Sequence, residues 1–262
     1  VNVSVREKII TSEEQKVVEV INPTGKGRFV LVCEHASNFI PDQYNNLGLL
    51  AKARKSHVAW DPGAIEVARG LSEILDAPLV ASRMSRLLYD CNRPPTAKNA
   101  IPERSEVFDI KGNVNLGKEQ LSERSEKFYF PFRNALSECL GSHSRRVGSS
   151  ILVTIHTFTP VYLGRKRLVD LGVVHDSDNR MADGMLTSLK KSTGMKIERN
   201  QPYGPRDGVT HTLKEHGSKR GIANVMIEIR NDLVTTDQEQ SEISKILAAA
   251  LKFSADNLNS RT

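Results

Sequence analysis

Two of the seven histidines directly follow strong apolar runs. Leu152-Val153-Thr154-Ile155 leads into His156 and on to Pro160, and Phe29-Val30-Leu31-Val32-Cys33 leads into Glu34-His35. A third run, Asn224-Val225-Met226-Ile227, leads into Glu228-Ile229-Arg230. Apolar, β-branched runs of this length read as buried strands. In an open α/β sheet, ligands gather outside the carboxyl ends of the strands, so the three ends are expected to converge on one metal site. Catalytic zinc takes three side chains from His, Asp and Glu and leaves a position to water, whose pKa falls towards about 7. A neighbouring carboxylate can then accept the proton. One loop histidine more often only hydrogen-bonds, but two of them with a carboxylate at a third strand end point to a site. No short fixed spacing of the H-E-x-x-H kind ties these residues together.

The elements that must position them follow in chain order. Residues 1–27 read as a polar N-terminal arm with a short apolar patch, Val17 to Ile21, expected as an edge strand. Asp61-Pro62 is a helix-start signal. Ala64, Val67, Ala68, Leu71, Ile74 and Leu75 then recur at helical spacing on one face. Leu79 to Ser82 is the next strand, completing a strand–helix–strand crossover of the kind found in parallel sheets. Thr96 to Asn115 is expected as an excursion over the site, and Leu116 to Leu140 as a helix kinked or split by Pro131. Strands are expected at Leu168–His175 and Met195–Arg199, and a helix at Met181–Ser192. Gln201 to Gly208 reads as loop, with a helix beginning between Asp207 and His216. An amphipathic helix runs from Thr236. No repeat, low-complexity tract or linker divides the chain, so 1–262 is expected to be one α/β domain.

With 39% hydrophobic and 26% charged residues in 262, the composition is that of a soluble globular protein. The formal charge of +6 comes from Lys and Arg scattered among nearly as many Asp and Glu, without a basic stripe interleaved with aromatics. That pattern argues for a solvated surface and against a nucleic-acid partner. No apolar stretch is long enough to span a bilayer, and no signal-peptide layout is visible. Three irregularly spaced cysteines, Cys33, Cys91 and Cys139, argue for a reducing compartment. A cytoplasmic location is the expectation; the oligomeric state is not readable.

Five short motifs, in order, resemble the N-formylglutamate amidohydrolases, as a divergent branch. They are Cys33-Glu34-His35-Ala36-Ser37-Asn38 with Ile40-Pro41, Asp61-Pro62-Gly63-Ala64, Ser85-Arg86 with Asp90-Cys91-Asn92-Arg93, His156-Thr157-Phe158-Thr159-Pro160, and Glu228-Ile229-Arg230-Asn231-Asp232. The resemblance implies a three-layer α/β/α, phosphorylase/hydrolase-like fold with a mixed, zinc carboxypeptidase-like sheet. It also implies one Zn2+ per chain and hydrolysis of the amide of a small N-acyl amino acid such as N-formylglutamate. His35 and His156 match metal ligands, Glu228 the general base, Arg86 the arginine that polarises the scissile carbonyl, and Asn92 with Arg93 the pair that holds a substrate carboxylate. A guanidinium suits these tasks, since its paired donors fit a carboxylate and it stays charged at any working pH.

The chain departs from the carboxypeptidase-type pattern at Asn38, where an acidic ligand would stand three residues after the first histidine. A third ligand must come from elsewhere. Asp61 ranks first because it opens a helix at the same sheet end, Glu34 second and Glu66 third. Against Glu34 stands strand alternation, which sends the neighbour of His35 to the opposite face; against Asp61 stands a plain N-cap role. His216 and Arg230 are further substrate-binding candidates, with His211 and Tyr203 within possible reach. Cys33 and Cys91, set in apolar sequence, read as buried inert thiols. The alternatives to a deacylase are a zinc amidase or carboxypeptidase acting on peptides or cell-wall fragments, and a metal-free anion-binding protein on the same fold.

Overall fold

The computed structural model describes residues 17–258, so most of the N-terminal arm, residues 1–16, lies outside it. Eleven strands follow in chain order: β1 Val18–Ile21, β2 Phe29–Cys33, β3 Leu79–Ser82, β4 Arg104–Ser105, β5 Phe108–Asp109, β6 Ile151–Phe158, β7 Val161–Tyr162, β8 Arg165–Lys166, β9 Leu171–Val174, β10 Ile197–Arg199 and β11 Asn224–Arg230. Seven form one mixed sheet in the order β1-β3-β2-β6-β11-β9-β10. The central strands β3, β2, β6 and β11 are parallel, while β1 and β9 run antiparallel to their inner neighbours. The expected edge strand is β1. The remaining four strands make two small hairpins, β4–β5 and β7–β8.

Helices cover both faces, giving three layers. α2 Ala64–Leu75, α5 Arg180–Ser192 and α6 Asp237–Asp256 share one core with Leu31, Val153, Ile155, Val225 and Ile227. Thr236 caps α6 by accepting from Glu239 N. On the other face, α4 Phe130–Val147 packs with Val30, Val32, Leu152 and Met226. Leu31, Leu79, Leu152 and Leu171 are wholly buried, so truncating any one to Ala is expected to cost about 2–5 kcal/mol. α1 Ala51–Lys55 and α3 Lys118–Arg124 are short.

Two local expectations are refined. The Leu116–Leu140 segment stays helical from Lys118 on, through a π-helical turn over Ser125–Tyr129 that lies just before Pro131. The π turn accommodates a residue that donates no N–H and whose ring would clash with the carbonyl four residues back. His156 and Glu228 do not terminate their strands either. β6 and β11 stay paired for two more residues, to Phe158↔Arg230.

Alternation places the chemistry. On the α4 face the sheet presents Leu152, Thr154 and His156 along β6, and Met226 and Glu228 along β11. His156 lies beside Glu228 in the ladder. Val32 lies beside Thr154, so Glu34, two residues on, continues the same face towards His156.

Candidate active site

Three donor atoms meet at the carboxyl end of the sheet. His35 Nδ1 is 3.1 Å from Asp61 Oδ2, His156 Nδ1 is 2.9 Å from the same oxygen, and the two Nδ1 atoms are 3.2 Å apart. All three residues are buried. Backbone geometry helps to hold them: Asp61 N donates to His35 O at 3.0 Å, and Gly63, in the left-handed region at φ 82, turns the chain from Asp61-Pro62 into α2. Asp61 is therefore no simple helix cap.

The donor set fits a tetrahedral divalent ion. Zinc–nitrogen bonds of 2.0–2.1 Å place neighbouring ligand atoms about 3.3 Å apart, close to the sides of this triangle. Hydrogen bonding alone satisfies such a triangle poorly. His35 Nε2 lies 2.7 Å from Asp90 Oδ1; a carboxylate only accepts, so Nε2 is the donor there, and Nδ1 is the ring atom turned to Asp61 and His156. His156 is turned in the same sense, with Nε2 3.2 Å from Glu34 Oε2, a charge contact out of hydrogen-bond alignment. A carboxylate behind each imidazole is the arrangement that orients metal-ligating histidines.

The electrostatics follow from that geometry. Burial would raise the pKa of Asp61, but His35, His156 and Arg86 hold it far below the ordinary carboxylate range. Burial likewise opposes the charge on Asp90, yet His35 and Arg86 keep it strongly depressed. In the metal-free chain burial works against a charged His156, but Glu34 and Asp61 raise its pKa well above the usual value. Glu228 differs: burial dominates, and its pKa is pushed up to about 7 with Asp61 adding to the rise. Its Oε2 is buried and has no hydrogen-bond partner.

These groups line a cavity of about 300 Å³ together with Arg86, Arg93 and Tyr203. Arg86 donates through Nη1 to Asp61 Oδ1 at 3.2 Å and through Nη2 to Asp90 Oδ2 at 3.1 Å. Arg93 is buried and donates Nη1 to Asn92 O at 2.8 Å, while its Nε lacks a partner. Asn92 also borders the cavity, but its amide is engaged by the 209–212 segment. Its Nδ2 donates to Val209 O, and Oδ1 accepts from Thr212 N at 3.0 Å.

Two sequence candidates stand outside the cavity lining. Arg230, at the end of β11, is held by Asp170 and Asp232. His216 is buried on a helical segment 3.5 Å from Ser137 Oγ, where burial and Arg220 depress its pKa to about 4. His211 is likewise engaged elsewhere, 2.8 Å from the Tyr129 hydroxyl. Among the ranked third ligands, Glu66 is exposed on α2 and Glu34 sits behind His156, which leaves Asp61 at the triangle. Cys33 and Cys91 are buried, and burial raises both thiols well above their usual pKa.

Some contributors were not singled out by sequence. Asp90 carried a signal, its i,i+4 spacing from Arg86, yet nothing local linked it to His35. Gly172 faces Glu228 from β9, and a Cβ there would lie 1.9 Å from Gln201 O. Its missing side chain lets the 200–204 loop close on the sheet and bring Tyr203 to the cavity. The expected excursion over the site is present: Asn99, Pro102, Arg104, Ser105 and Glu106 all border the cavity.

Comparison with known proteins is consistent with this architecture. A sequence model described as N-formylglutamate amidohydrolase matches residues 27–235. No curated protein matches the chain. A crystal structure of a gene product from Agrobacterium tumefaciens shares 46% identity and a TM-score of 0.91, over 96% of this chain and 100% of that one. An N-formylglutamate amidohydrolase from Ralstonia eutropha, 17% identical, gives a TM-score of 0.60 over 94% of this chain and 100% of that one, a likeness of fold.

Proposed function

The chain belongs to the N-formylglutamate amidohydrolase family, and from that premise we propose that it hydrolyses the amide of a small N-acyl amino acid at a zinc ion held by His35, Asp61 and His156. N-formylglutamate, the family's namesake, is the first substrate to test. The observation that carries the reading is one cavity containing three converging donor atoms 2.9–3.2 Å apart and a buried carboxylate oxygen of Glu228 without a partner.

When bound, the ion supplies Lewis acidity and lowers the pKa of water at its open position towards about 7. Every other task falls to side chains of this chain. Glu228, whose Oε2 is buried and has no hydrogen-bond partner, takes the proton of the attacking water and delivers it to the leaving nitrogen. Arg86 commits two of its five N–H groups to Asp61 and Asp90 and uses the others to stabilise the developing oxyanion. Arg93 anchors the α-carboxylate, and Asn92 fixes its backing by clamping the 209–212 segment. Asp90 and Glu34 hold the two imidazoles in register.

Metal analysis of the purified protein, with amine release from N-formyl, N-acetyl and N-succinyl amino acids, tests this reading. Stoichiometric zinc that disappears in His156→Ala, together with turnover that disappears in Glu228→Gln, supports it. Turnover undiminished in either variant removes the mechanism.

A further inference from the structure

The cavity's cations are unequally available. Arg86 is bound to Asp61 and Asp90. Arg104, at the rim, pairs with Asp109 at 3.2 Å and donates Nε to Glu106 O. His57 Nε2 lies 2.9 Å from Glu106 Oε2. Among the described residues lining the cavity, this leaves Arg93 as the guanidinium with a buried donor that has no partner. A single such group anchors one carboxylate.

Part of the lining is aromatic. Phe158 comes from the end of β6, Tyr162 from the β7–β8 hairpin and Tyr203 from the loop that Gly172 admits, and all three border the cavity. Arg167 ties them together from outside the cavity lining, its Cζ 4.5 Å from the Tyr162 ring centre, 4.7 Å from Tyr203 and 5.7 Å from Phe158. Its charge faces the rings in cation–π contacts; its Nη1 is buried without a hydrogen-bond partner, but Arg167 is not among the residues that line the cavity. Beside Glu106, Val107 and Leu163 are 61% and 58% exposed.

Glu106, which lines the cavity, joins the two hairpins. It sits in the left-handed region at φ 52 in the β4–β5 turn, its Oε1 accepts from Leu163 N at 3.1 Å, and its side chain is only 12% exposed. The carboxylate is thereby held at the cavity, where a second substrate carboxylate would meet like charge.

We propose that the preferred substrates are N-acyl amino acids with an apolar or aromatic side chain, seated against Phe158, Tyr162 and Tyr203, and that Glu106 turns acidic side chains away. This inference rests on the N-acyl amino acid reading above and names the substrate class within it. Specificity of this kind needs both an attractive wall and a repulsive group.

The experiment compares kcat/KM for N-formyl-phenylalanine, N-formyl-leucine, N-formyl-glutamine and N-formyl-glutamate in the wild type and in Glu106→Gln. Glutamine is isosteric with glutamate and isolates charge. The amide oxygen of Glu106→Gln still accepts from Leu163 N. Binding of the same four compounds is measured by calorimetry on Glu228→Gln, alone and combined with Glu106→Gln, so that ligands persist during titration. Wild type is expected to favour phenylalanine over glutamate by about tenfold or more, and Glu106→Gln to narrow that ratio about tenfold. A highest kcat/KM for the glutamate compound, or a ratio unmoved by Glu106→Gln, overturns the inference and leaves the hydrolase reading standing. No turnover of any compound, with binding still ranked apolar over acidic and shifted by Glu106→Gln, sinks the hydrolase reading alone. Neither turnover nor binding sinks both.

Discussion

The Nδ1 atoms of His35 and His156 face each other across 3.2 Å, 121 residues apart in the chain. Asp61 Oδ2 completes the triangle, and the three atoms together offer a ligand set for a metal ion. In the metal-free chain this is a costly arrangement, because a proton on one Nδ1 is shared between two close acceptors, Asp61 Oδ2 and the other Nδ1. Binding free energy and local stability should therefore be linked through the ion.

Zinc at a hundredfold excess over its Kd is expected to raise the unfolding free energy by about 2.7 kcal/mol. Thermal melts with and without a chelator read this directly. His35→Ala and His156→Ala should show no zinc-dependent gain in Tm, and a gain retained by both would place the ion elsewhere.

Asp90→Asn keeps the size of the group behind His35 but removes the charge that fixes its proton on Nε2. Zinc affinity is expected to fall about 10–100-fold, measured by competition with a chromogenic chelator. Unchanged affinity would reduce Asp90 to a packing role.

Glu228→Gln should lower kcat by about 10²–10⁴ while retaining zinc. The same variant has a signature in stability. Because the folded pKa of Glu228 is raised to about 7, its contribution is fully present below its unfolded value near pH 4.5 and is lost as pH rises through 7. Metal-free Glu228→Gln should then be more stable than metal-free wild type at pH 8, with the difference vanishing at pH 4. Urea midpoints at the two pH values decide the matter.

His216 carries the opposite sign. Its folded pKa is depressed to about 4 by burial and Arg220, so its stability contribution is present above pH 6.5 and is lost as pH falls towards 4. His216→Gln should flatten the fall in urea midpoint between pH 6.5 and pH 4. A slope identical to wild type would mean that His216 is solvated in solution.

Gly172→Ala forces a Cβ to within 1.9 Å of Gln201 O unless the 200–204 loop withdraws. A loss of about 1–3 kcal/mol is expected from the overpacking, accompanied by a rise in KM as Tyr203 leaves the cavity wall. A stability loss with KM unchanged would separate the loop from substrate binding.

Sequence alone singled out candidate residues for the chemistry at the strand ends. His35, His156 and Glu228 stand where apolar, β-branched runs give way to polar groups, and the period of two already assigns His156 and Glu228 to faces of their strands. Asp61 was legible only as one of three ranked acids, because its position at a helix start is equally that of a cap. Which acid completes the triangle depends on the order β3-β2-β6-β11, a product of long-range pairing that no local pattern encodes. The same holds for Asp90 behind His35, for Glu106 between two hairpins, and for Gly172 against Gln201. Each is defined by contacts between distant segments. His216 and Arg230 mark the limit from the other side: resemblance to family positions suggested a pocket role, and tertiary packing sets one against Ser137 and the other between Asp170 and Asp232. Local periodicity sets the face on which a side chain emerges; only the folded sheet and the loops closed over it set what that side chain meets.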